Sequence, residues 1–371
     1  MKLLADARAL QEHVDGIGRH ILGILGGLAR VRPGWELEAL VLPDAVRHLD
    51  RIPVRTIHCP VPRFRREERR RVTPLVESSG ADFYMNFSMA GPCPGIPTGI
   101  SVYDMMVLNL PGYFGPLWIR NILARMVFRR MIFRSAAHAA LIAVPSLATR
   151  DEFETVFPGC RDRIRVTGEG QDLFPPGGRP AWTGEAGYLL YVGNARAYKN
   201  LSRLLVAYAR LRATGAGVPP LVMVVRRDRA YRGFMRELED SPAREAVTVV
   251  SSVEDDRLRE LYAGAAGLLM PSLKEGFGFP VLEAMSAGTP VVVSAGTALE
   301  ELAGEAGILV DPLSVADMMR GIALLVSDGG LRAGMSGRCL ARAAGYTWDA
   351  AAERLAEAVE EIMNKGSSRP R

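Results

Sequence analysis

Residues 274–292 read KEGFGFPVLEAMSAGTPVV, and this stretch decides the fold more than any other part of the chain. An apolar run before it predicts a strand, Pro280 predicts the start of a helix, and 290–294 predicts a second strand. A helix that follows a glycine-bearing loop presents unpaired N–H groups and the positive end of its dipole. The unit therefore predicts an anion site, with a phosphate held by the N–H groups of Val281 and Leu282.

Two glutamates flank this helix start. Glu275 lies in the loop before the helix, and Glu283 lies about one turn into it. Carboxylates accept hydrogen bonds from hydroxyl groups, so acids on either side of a phosphate indicate a nucleotide sugar. An ordinary strand and helix with solvated acids stays open as an alternative. The other candidate residues of this donor site are Gly276, Phe277, Gly278, Pro280, Val281 and Leu282.

The composition limits the possible classes of protein. With 371 residues, 48% of them hydrophobic, the chain can form two cores, so two domains are expected. The four cysteines are scattered without metal-ligand spacing, which predicts reduced thiols, no metal and a cytoplasmic location. No secretory signal or apolar stretch of about 18 residues is found. The formal charge of +5 comes almost wholly from arginine, and nucleic-acid binding is not inferred from it.

Strand-like and helix-like stretches alternate along the chain, which predicts an α/β fold with parallel sheets covered by helices. The alternation breaks at 171–187, a Pro- and Gly-rich stretch that reads as a linker. The expected organisation is a first Rossmann-like domain that binds the acceptor, a linker, a second Rossmann-like domain that binds the nucleotide sugar, and a terminal helix with a mobile tail. Their expected boundaries are 1–170, 171–187, 188–345 and 346–371.

The run from Glu275 to Glu283 resembles the E-x7-E signature of the retaining GT-B glycosyltransferases of family 4. ADARALQEHVDGIGRH, at 5–20, is similar to the DxR…GIGRY opening of that family, with His20 where Tyr is usual. The resemblance implies two Rossmann-like domains that face each other across an interdomain cleft, with the terminal helix crossing back to the first domain. It also implies that Glu275 contacts hydroxyls of the donor sugar, that Glu283 contacts the ribose, and that neither a metal nor another cofactor is needed.

Further candidates come from weaker matches. Lys199 matches the lysine that this family directs to the donor diphosphate, and Arg196 is taken as its companion; a solvated helix start is the alternative for both. Gly16 and Gly18 would permit positive φ and close approach of a phosphate or sugar, or form a simple turn. Asp104 would contact the acceptor hydroxyl or cap the following loop. Tyr103 stands before it where the family often has His.

The expected function is transfer of mannose, from GDP-mannose, to the hydroxyl of a glycan or lipid-linked acceptor in polysaccharide or glycolipid assembly. A nucleotide-sugar epimerase and a non-catalytic nucleotide-sugar-binding subunit are the alternatives. Two arginine-rich stretches, 63–72 and 117–135, offer peripheral contact with the anionic inner face of a membrane. For the second stretch the expectation is that its apolar side packs in the core.

Overall fold

The computed structural model describes residues 1–65, 67–110, 113–114, 117–174, 182–184, 187–251 and 253–367. The chain divides into two compact units. The first unit comprises Met1–Gly170 and Thr347–Arg371, and the second comprises Gln171–Tyr346. The predicted linker 171–187 lies partly outside the described residues. In its described part, Trp182 belongs to the second unit, where its indole N–H donates to the Ala265 carbonyl at 2.7 Å.

The first unit is built on seven parallel strands among the described residues, in the order β3-β2-β1-β4-β5-β6-β7. The strands are β1 (Lys2–Asp6), β2 (Glu36–Val41), β3 (Arg55–His58), β4 (Phe83–Asn86), β5 (Thr98–Ser101), β6 (Leu141–Val144) and β7 (Ile164–Val166). Between them lie the helices α1 (Gly16–Val31), α2 (Glu68–Glu77), α3 (Met106–Asn109), α4 (Trp118–His138) and α5 (Leu147–Val156). The central strands are buried along most of their length, as expected for parallel strands covered on both faces.

The second unit has six parallel strands among the described residues, in the order β10-β9-β8-β11-β12-β13. The strands are β8 (Tyr188–Gly193), β9 (Leu221–Val225), β10 (Val247–Val250), β11 (Ala265–Met270), β12 (Val291–Ser294) and β13 (Ile308–Val310). The helices are α6 (Leu201–Ala213), α7 (Tyr231–Glu239), α8 (Asp255–Ala263), α9 (Phe279–Ala287), α10 (Ala298–Ala303), α11 (Val315–Ser327) and α12 (Gly329–Ala343).

Both sheets reverse their strand order next to their first strand, between β1 and β4 in one unit and between β8 and β11 in the other. This arrangement is that of the Rossmann fold, in which ligands bind outside the carboxyl ends of the strands at the point of reversal. The predicted pair of α/β Rossmann-like domains is thus confirmed.

The last helix, α13 (Trp348–Ser367), belongs to the first unit and packs along α1. Two glycines of α1 allow the close approach. A Cβ added at Gly23 would lie 2.1 Å from the Trp348 ring, and one at Gly27 would lie 2.7 Å from Ala352 Cβ. Arg32 then pairs with two acids of α13, at 2.7–2.8 Å. The contact therefore combines small-residue packing with ion pairs along one edge.

The structure corrects one expectation for α4. The buried positions of this helix are Asn121, Ile132, Ser135 and Ala136, while most of its large apolar side chains are exposed. The apolar residues lie all around the helix, so that one side packs on the first unit and the other side is left at the surface. The prediction that its apolar side packs in the core was wrong for this outward side.

Candidate active site

The predicted lysine and acid lie where the strand order of the second sheet reverses. Lys199 follows β8 and Glu275 follows β11, and these two strands are neighbours. The helices that follow them, α6 and α9, connect to strands on opposite sides. Their two loops therefore diverge at the carboxyl edge of the sheet, which is the usual position of a nucleotide in this fold.

Lys199 and Glu275 form an ion pair. Lys199 Nζ donates to Glu275 Oε1 at 2.6 Å, and the exposed fractions of the two side chains are 7% and 9%. The ammonium also lies 5.4 Å from the centre of the Tyr198 ring. Because water is largely excluded, the attraction between the two charges is stronger than at an open surface. The alternative of a solvated lysine at a helix start is therefore wrong.

Asn200, which was not predicted, links the two loops. Its backbone is left-handed, with φ 61°, a conformation that Asn tolerates better than most residues. Its side-chain amide donates to the carbonyls of Pro271 at 2.9 Å and Pro312 at 2.7 Å. In addition, the Leu273 N–H donates to the Tyr198 carbonyl at 2.7 Å. These bonds fix the loop of the lysine to the loop of the glutamate.

Two buried serines also lie at this edge of the sheet and were not predicted. Ser272 follows β11 and Ser294 ends β12, and neither side chain is exposed. Their hydroxyls have no hydrogen-bond partner in the part of the chain that the structure describes. A serine at a strand end is too common a pattern to have been singled out from the sequence.

Arg196 lies near Lys199 but in a more open position. It immediately precedes the single helical turn Ala197–Lys199, and its side chain is 52% exposed. Its Nε lies 3.1 Å from Oδ2 of Asp228, in the loop after β9. The arginine is therefore at the same edge of the sheet as Lys199, with its charge exposed to solvent on one side.

The glycine loop leads into α9 with a geometry that differs from the predicted one. Gly278 precedes the helix with φ 116°, and Pro280 is the second helical residue instead of the first. The N–H groups of Val281 and Leu282 both donate to the Gly278 carbonyl, at 2.9 and 3.1 Å. The prediction that these two N–H groups are unpaired was wrong, because the helix begins one residue earlier and its first intrahelical bonds use them.

Two other predicted donor residues have buried side chains. Phe277 packs in the core of the second unit, with its ring 5.7 Å from that of Phe279 and 5.9 Å from that of Tyr346. Glu283 is 3% exposed, and its Oε2 accepts a hydrogen bond from the Tyr262 hydroxyl at 2.7 Å. Glu283 is therefore held in a fixed position by α8, and Gly276 remains in the partly exposed loop between the two acids.

In the first unit, Gly16 and Gly18 begin α1 and do not form a loop before it. Asp15 caps the helix by accepting from the Gly18 N–H at 2.9 Å, and neither glycine has positive φ. The expectation that these glycines supply positive φ was wrong. A Cβ at Gly18 would lie 3.1 Å from Val14 and 3.2 Å from Leu10, so Gly18 is required by close packing of the preceding loop.

The DxR motif is an internal ion pair. Arg8 is buried and donates to both oxygens of Asp6, to the Val61 carbonyl and to Glu68. Tyr84 donates to Asp6 at 2.6 Å. Burial alone would raise the pKa of Asp6. The Arg8 charge and these hydrogen bonds together lower it by more than burial raises it, so the pKa of Asp6 is below the usual 3.8. The motif thus ties the carboxyl end of β1 to β4 and to α2 from within the first unit.

Asp104 accepts a hydrogen bond from the Met106 N–H at 2.8 Å, which is the loop-capping geometry. The neighbouring Tyr103 packs against the ring of His20, with ring centres 4.9 Å apart. Burial raises the pKa of Tyr103 well above 10, so it stays a neutral phenol. His20 Nδ1 lies 2.7 Å from Glu169 Oε2, and both are buried. This His and Glu pair had no recognisable spacing in the sequence.

Two kinds of feature are absent from the residues that the structure describes. No group of three or more His, Cys, Asp or Glu side chains in those residues is arranged to hold a metal ion. No helix within the same part of the chain is both long and apolar enough to cross a membrane.

Solved structures identify the fold of this chain. Sucrose-phosphate synthase from Thermosynechococcus elongatus has a TM-score of 0.74 at 18% identity, over 98% of this chain and 99% of that chain. Anabaena Alr3699/HepE, solved in complex with UDP and glucose, has a TM-score of 0.70 at 16% identity, over 97% and 100% of the two chains. At these identities the likeness shows the fold alone. That fold is the GT-B fold, with two parallel-sheet Rossmann-like domains.

Sequence comparisons then give the kind of enzyme. Residues 179–338 match the family model of the Glycosyl transferases group 1. O-antigen chain mannosyltransferase B of Escherichia coli is 28% identical over 385 aligned residues, which cover 94% of this chain and 97% of that protein. The chain is a glycosyltransferase with the GT-B fold, and its second unit carries the match to the group 1 model. These comparisons do not favour the two alternative functions, a nucleotide-sugar epimerase and a non-catalytic nucleotide-sugar-binding subunit.

Proposed function

We propose that this glycosyltransferase transfers mannose, with retention of anomeric configuration, from a nucleoside diphosphate donor to a hydroxyl of a growing glycan. The observation that carries the proposal is the buried ion pair between Lys199 and Glu275 at the reversal point of the second sheet. The likeness to an O-antigen chain mannosyltransferase supports mannose as the proposed sugar. A glycan or lipid-linked acceptor in polysaccharide assembly is consistent with the same likeness.

Lys199 supplies a positive charge where the diphosphate leaves. As the bond between the anomeric carbon and the diphosphate oxygen breaks, negative charge builds on that oxygen, and a preorganised cation stabilises it. Arg196, which is more exposed, adds charge at the outer side of the same group. We propose that these side chains and the positive end of the α9 dipole carry out this task without a metal ion.

Glu275 is proposed to orient the donor sugar. Its Oε1 is bound by Lys199, and a carboxylate retains further acceptor sites for sugar hydroxyls. Because the lysine fixes the carboxylate, little ordering is needed when the donor binds. Glu283, fixed by Tyr262, is proposed to hold the ribose.

In the proposed reaction, the acceptor oxygen attacks the anomeric carbon from the face on which the diphosphate departs. The new bond joins the acceptor oxygen to the anomeric carbon, the bond to the diphosphate oxygen breaks, and the acceptor proton moves to the departing diphosphate. No covalent sugar-enzyme intermediate is formed. We propose that the first unit binds the acceptor, with Asp104 near its hydroxyl.

A donor panel tests the proposal. The purified chain is incubated with GDP-mannose, UDP-glucose and other nucleotide sugars and with mannose-containing acceptors, and the product anomer is read by NMR. Retained mannosyl transfer is expected with GDP-mannose. An inverted product or transfer only from another sugar contradicts the corresponding part of the proposal, and conversion of the donor into its epimer contradicts transfer itself.

Binding of the bare nucleoside diphosphate tests the role of the lysine separately. Calorimetry with GDP compares Lys199→Ala with Arg196→Ala. The lysine variant should lose about tenfold or more in affinity, and the arginine variant less, because an exposed charge is screened by water and salt. Equal affinity of Lys199→Ala and the unchanged protein contradicts the assignment.

A further inference from the structure

The outward face of α4 is a large apolar surface in the first unit. Trp118 is 70% exposed and Leu123 is 59% exposed. Isolated exposed apolar residues are normal, but a contiguous group of large ones marks an interaction surface. The exposed apolar residues of α4 and the two positions before it are Tyr113, Leu117, Trp118, Ile119, Ile122, Leu123, Met126, Val127 and Phe133.

These side chains form two adjacent rows along the helix. Trp118, Ile122 and Met126 are spaced four residues apart, as are Ile119, Leu123 and Val127 in the next row, and such residues lie above one another on one face. The rows are continuous over more than two turns. The surface is therefore a single ridge and not a scatter of separate residues.

The same helix carries only positive charge. Between 117 and 138 the sequence has five arginines and neither Asp nor Glu. Arg129, Arg130 and Arg134 are exposed and follow directly after the apolar turns. Arg130 and Arg134 continue the row of Trp118, so that the row changes from apolar to cationic along its length.

We propose that this face of α4 binds the interface of a membrane that contains anionic phospholipid. The apolar turns at the start of the helix would enter the boundary between headgroups and acyl chains, and the arginines that follow would contact lipid phosphates. A helix that lies in the interface needs one apolar face and cationic residues beside it, which α4 provides. The proposal concerns the first unit and does not depend on the identity of the donor.

Two features favour a lipid surface over other occupants. A second copy of the chain would bring two sets of arginines to one interface without acids on that face to pair them, and like charges that meet there are repulsive. The other arginine-rich element, α2, lacks an apolar outer face, because Val72 and Val76 are buried and Arg69–Arg71 are exposed. Only charge attraction would hold α2 to lipid, so α4 is the better anchor.

Vesicle sedimentation tests the proposal with the full chain. Vesicles of phosphatidylcholine alone are compared with vesicles in which about a third of the lipid is phosphatidylglycerol. Binding is expected to the anionic vesicles and to weaken in about 0.5 M NaCl. The fluorescence of Trp118 should shift to shorter wavelength on binding, and the shift should be lost in Trp118→Phe. Absence of binding by the unchanged protein overturns the proposal.

Matched variants locate the contact. Leu123→Glu should reduce the partition coefficient by about tenfold or more, whereas Leu313→Glu should not, although Leu313 in the second unit is similarly exposed at 65%. The double variant Arg129→Gln/Arg130→Gln should reduce binding more than Arg69→Gln/Arg70→Gln on α2. Equal binding of Leu123→Glu and Leu313→Glu overturns the proposal.

Analytical ultracentrifugation tests whether a second copy of the chain, instead of lipid, binds this face of α4. The unchanged protein is expected to have the same oligomeric state as Leu123→Glu. If the unchanged protein is a dimer and Leu123→Glu is a monomer, the face joins two copies of the chain and the lipid proposal is wrong. Circular dichroism of every variant verifies that the comparisons are made between folded proteins.

Discussion

Lys199 Nζ lies 2.6 Å from Glu275 Oε1, with both side chains more than nine-tenths buried. The two residues are 76 positions apart in the chain and come together because β8 and β11 are adjacent strands. Each is therefore the main charge partner of the other. A change at either residue removes one proposed substrate contact and also leaves the other charge without compensation.

A double-mutant cycle separates these two effects. Lys199→Met and Glu275→Gln should each lower the free energy of unfolding by about 3 kcal/mol, because each leaves a buried unpaired charge. The double variant should lose much less than the sum of the two. All three variants should lose about 100-fold or more in turnover, because the substrate contacts are gone. Stability is measured by urea titration with hydrogen exchange of β8 and β11.

Additive losses of stability in the double variant would show that the two charges do not interact. Near-normal turnover of Glu275→Gln would remove the glutamate from the proposed mechanism. Because the two readouts are independent, a purely structural ion pair and a functional one give different results.

Gly278 is expected to be irreplaceable for two reasons that can be distinguished. Its φ of 116° is unfavourable for any other residue, and an added Cβ would lie 2.4 Å from Leu299. Gly296 has φ 71° with open space around its Cα. Gly278→Ala should therefore cost about 3 kcal/mol or more from strain and overlap combined, and Gly296→Ala about 1 kcal/mol from strain alone. Thermal and urea unfolding measure both; equal costs would show that the Leu299 contact is irrelevant.

The Tyr262 hydroxyl is expected to position Glu283 for the nucleotide. Tyr262→Phe should cost about 1–2 kcal/mol of stability, because it removes a buried hydrogen bond to a carboxylate, and should raise KM for the donor more than it lowers kcat. Tyr208→Phe is the control, since Tyr208 is also fully buried in the second unit and donates to the Pro219 carbonyl at 2.8 Å. It should lose similar stability with an unchanged KM. A KM that is equal in both variants contradicts the positioning role.

The parts of this fold that the sequence revealed are those with a strong local pattern. Alternation of apolar runs with amphipathic stretches predicted the parallel strands and the covering helices of both units. Pairing of Lys199 with Glu275 could have been inferred from the strand order of the Rossmann fold, although no sequence distance indicates it. By contrast, α12 was not predicted, because four of its residues are glycine, which disfavours helix when considered locally.

Burial was the least predictable property. In the sequence of α4, the side that faces the core and the side that faces solvent both carry apolar residues. Only the tertiary structure therefore distinguishes the two sides of that helix. The hydrogen-bond partners of the Val281 and Leu282 N–H groups depend on where α9 begins. Because the helix begins one residue earlier than predicted, both groups donate to the Gly278 carbonyl. The paired His20 and Glu169 are 149 positions apart, and only the packing of the first unit brings them together.

The buried Asp6 predicts how the first unit responds to acid. The folded pKa of Asp6 is lower than its ordinary value of 3.8, so the unfolded state binds a proton more readily than the folded state. The stability that this carboxylate contributes is fully present above the unfolded pKa and is lost as the pH falls through the folded pKa. The free energy of unfolding of the first unit should therefore decrease below about pH 4.

Comparison with Asp6→Asn isolates this contribution from that of other acids. The variant should be about 3 kcal/mol less stable near neutral pH, because Arg8 loses its main partner in a buried site, and its stability should change less between about pH 6 and pH 3. Asp317→Asn is the control: Asp317 also has a lowered pKa, caused by Arg320, but lies at the surface of the second unit. Urea titrations at each pH, followed by hydrogen exchange of β1 and β4, measure the difference. If Asp6→Asn retains the full acid dependence of the unchanged protein, the carboxylate of Asp6 does not stabilise the first unit through its charge.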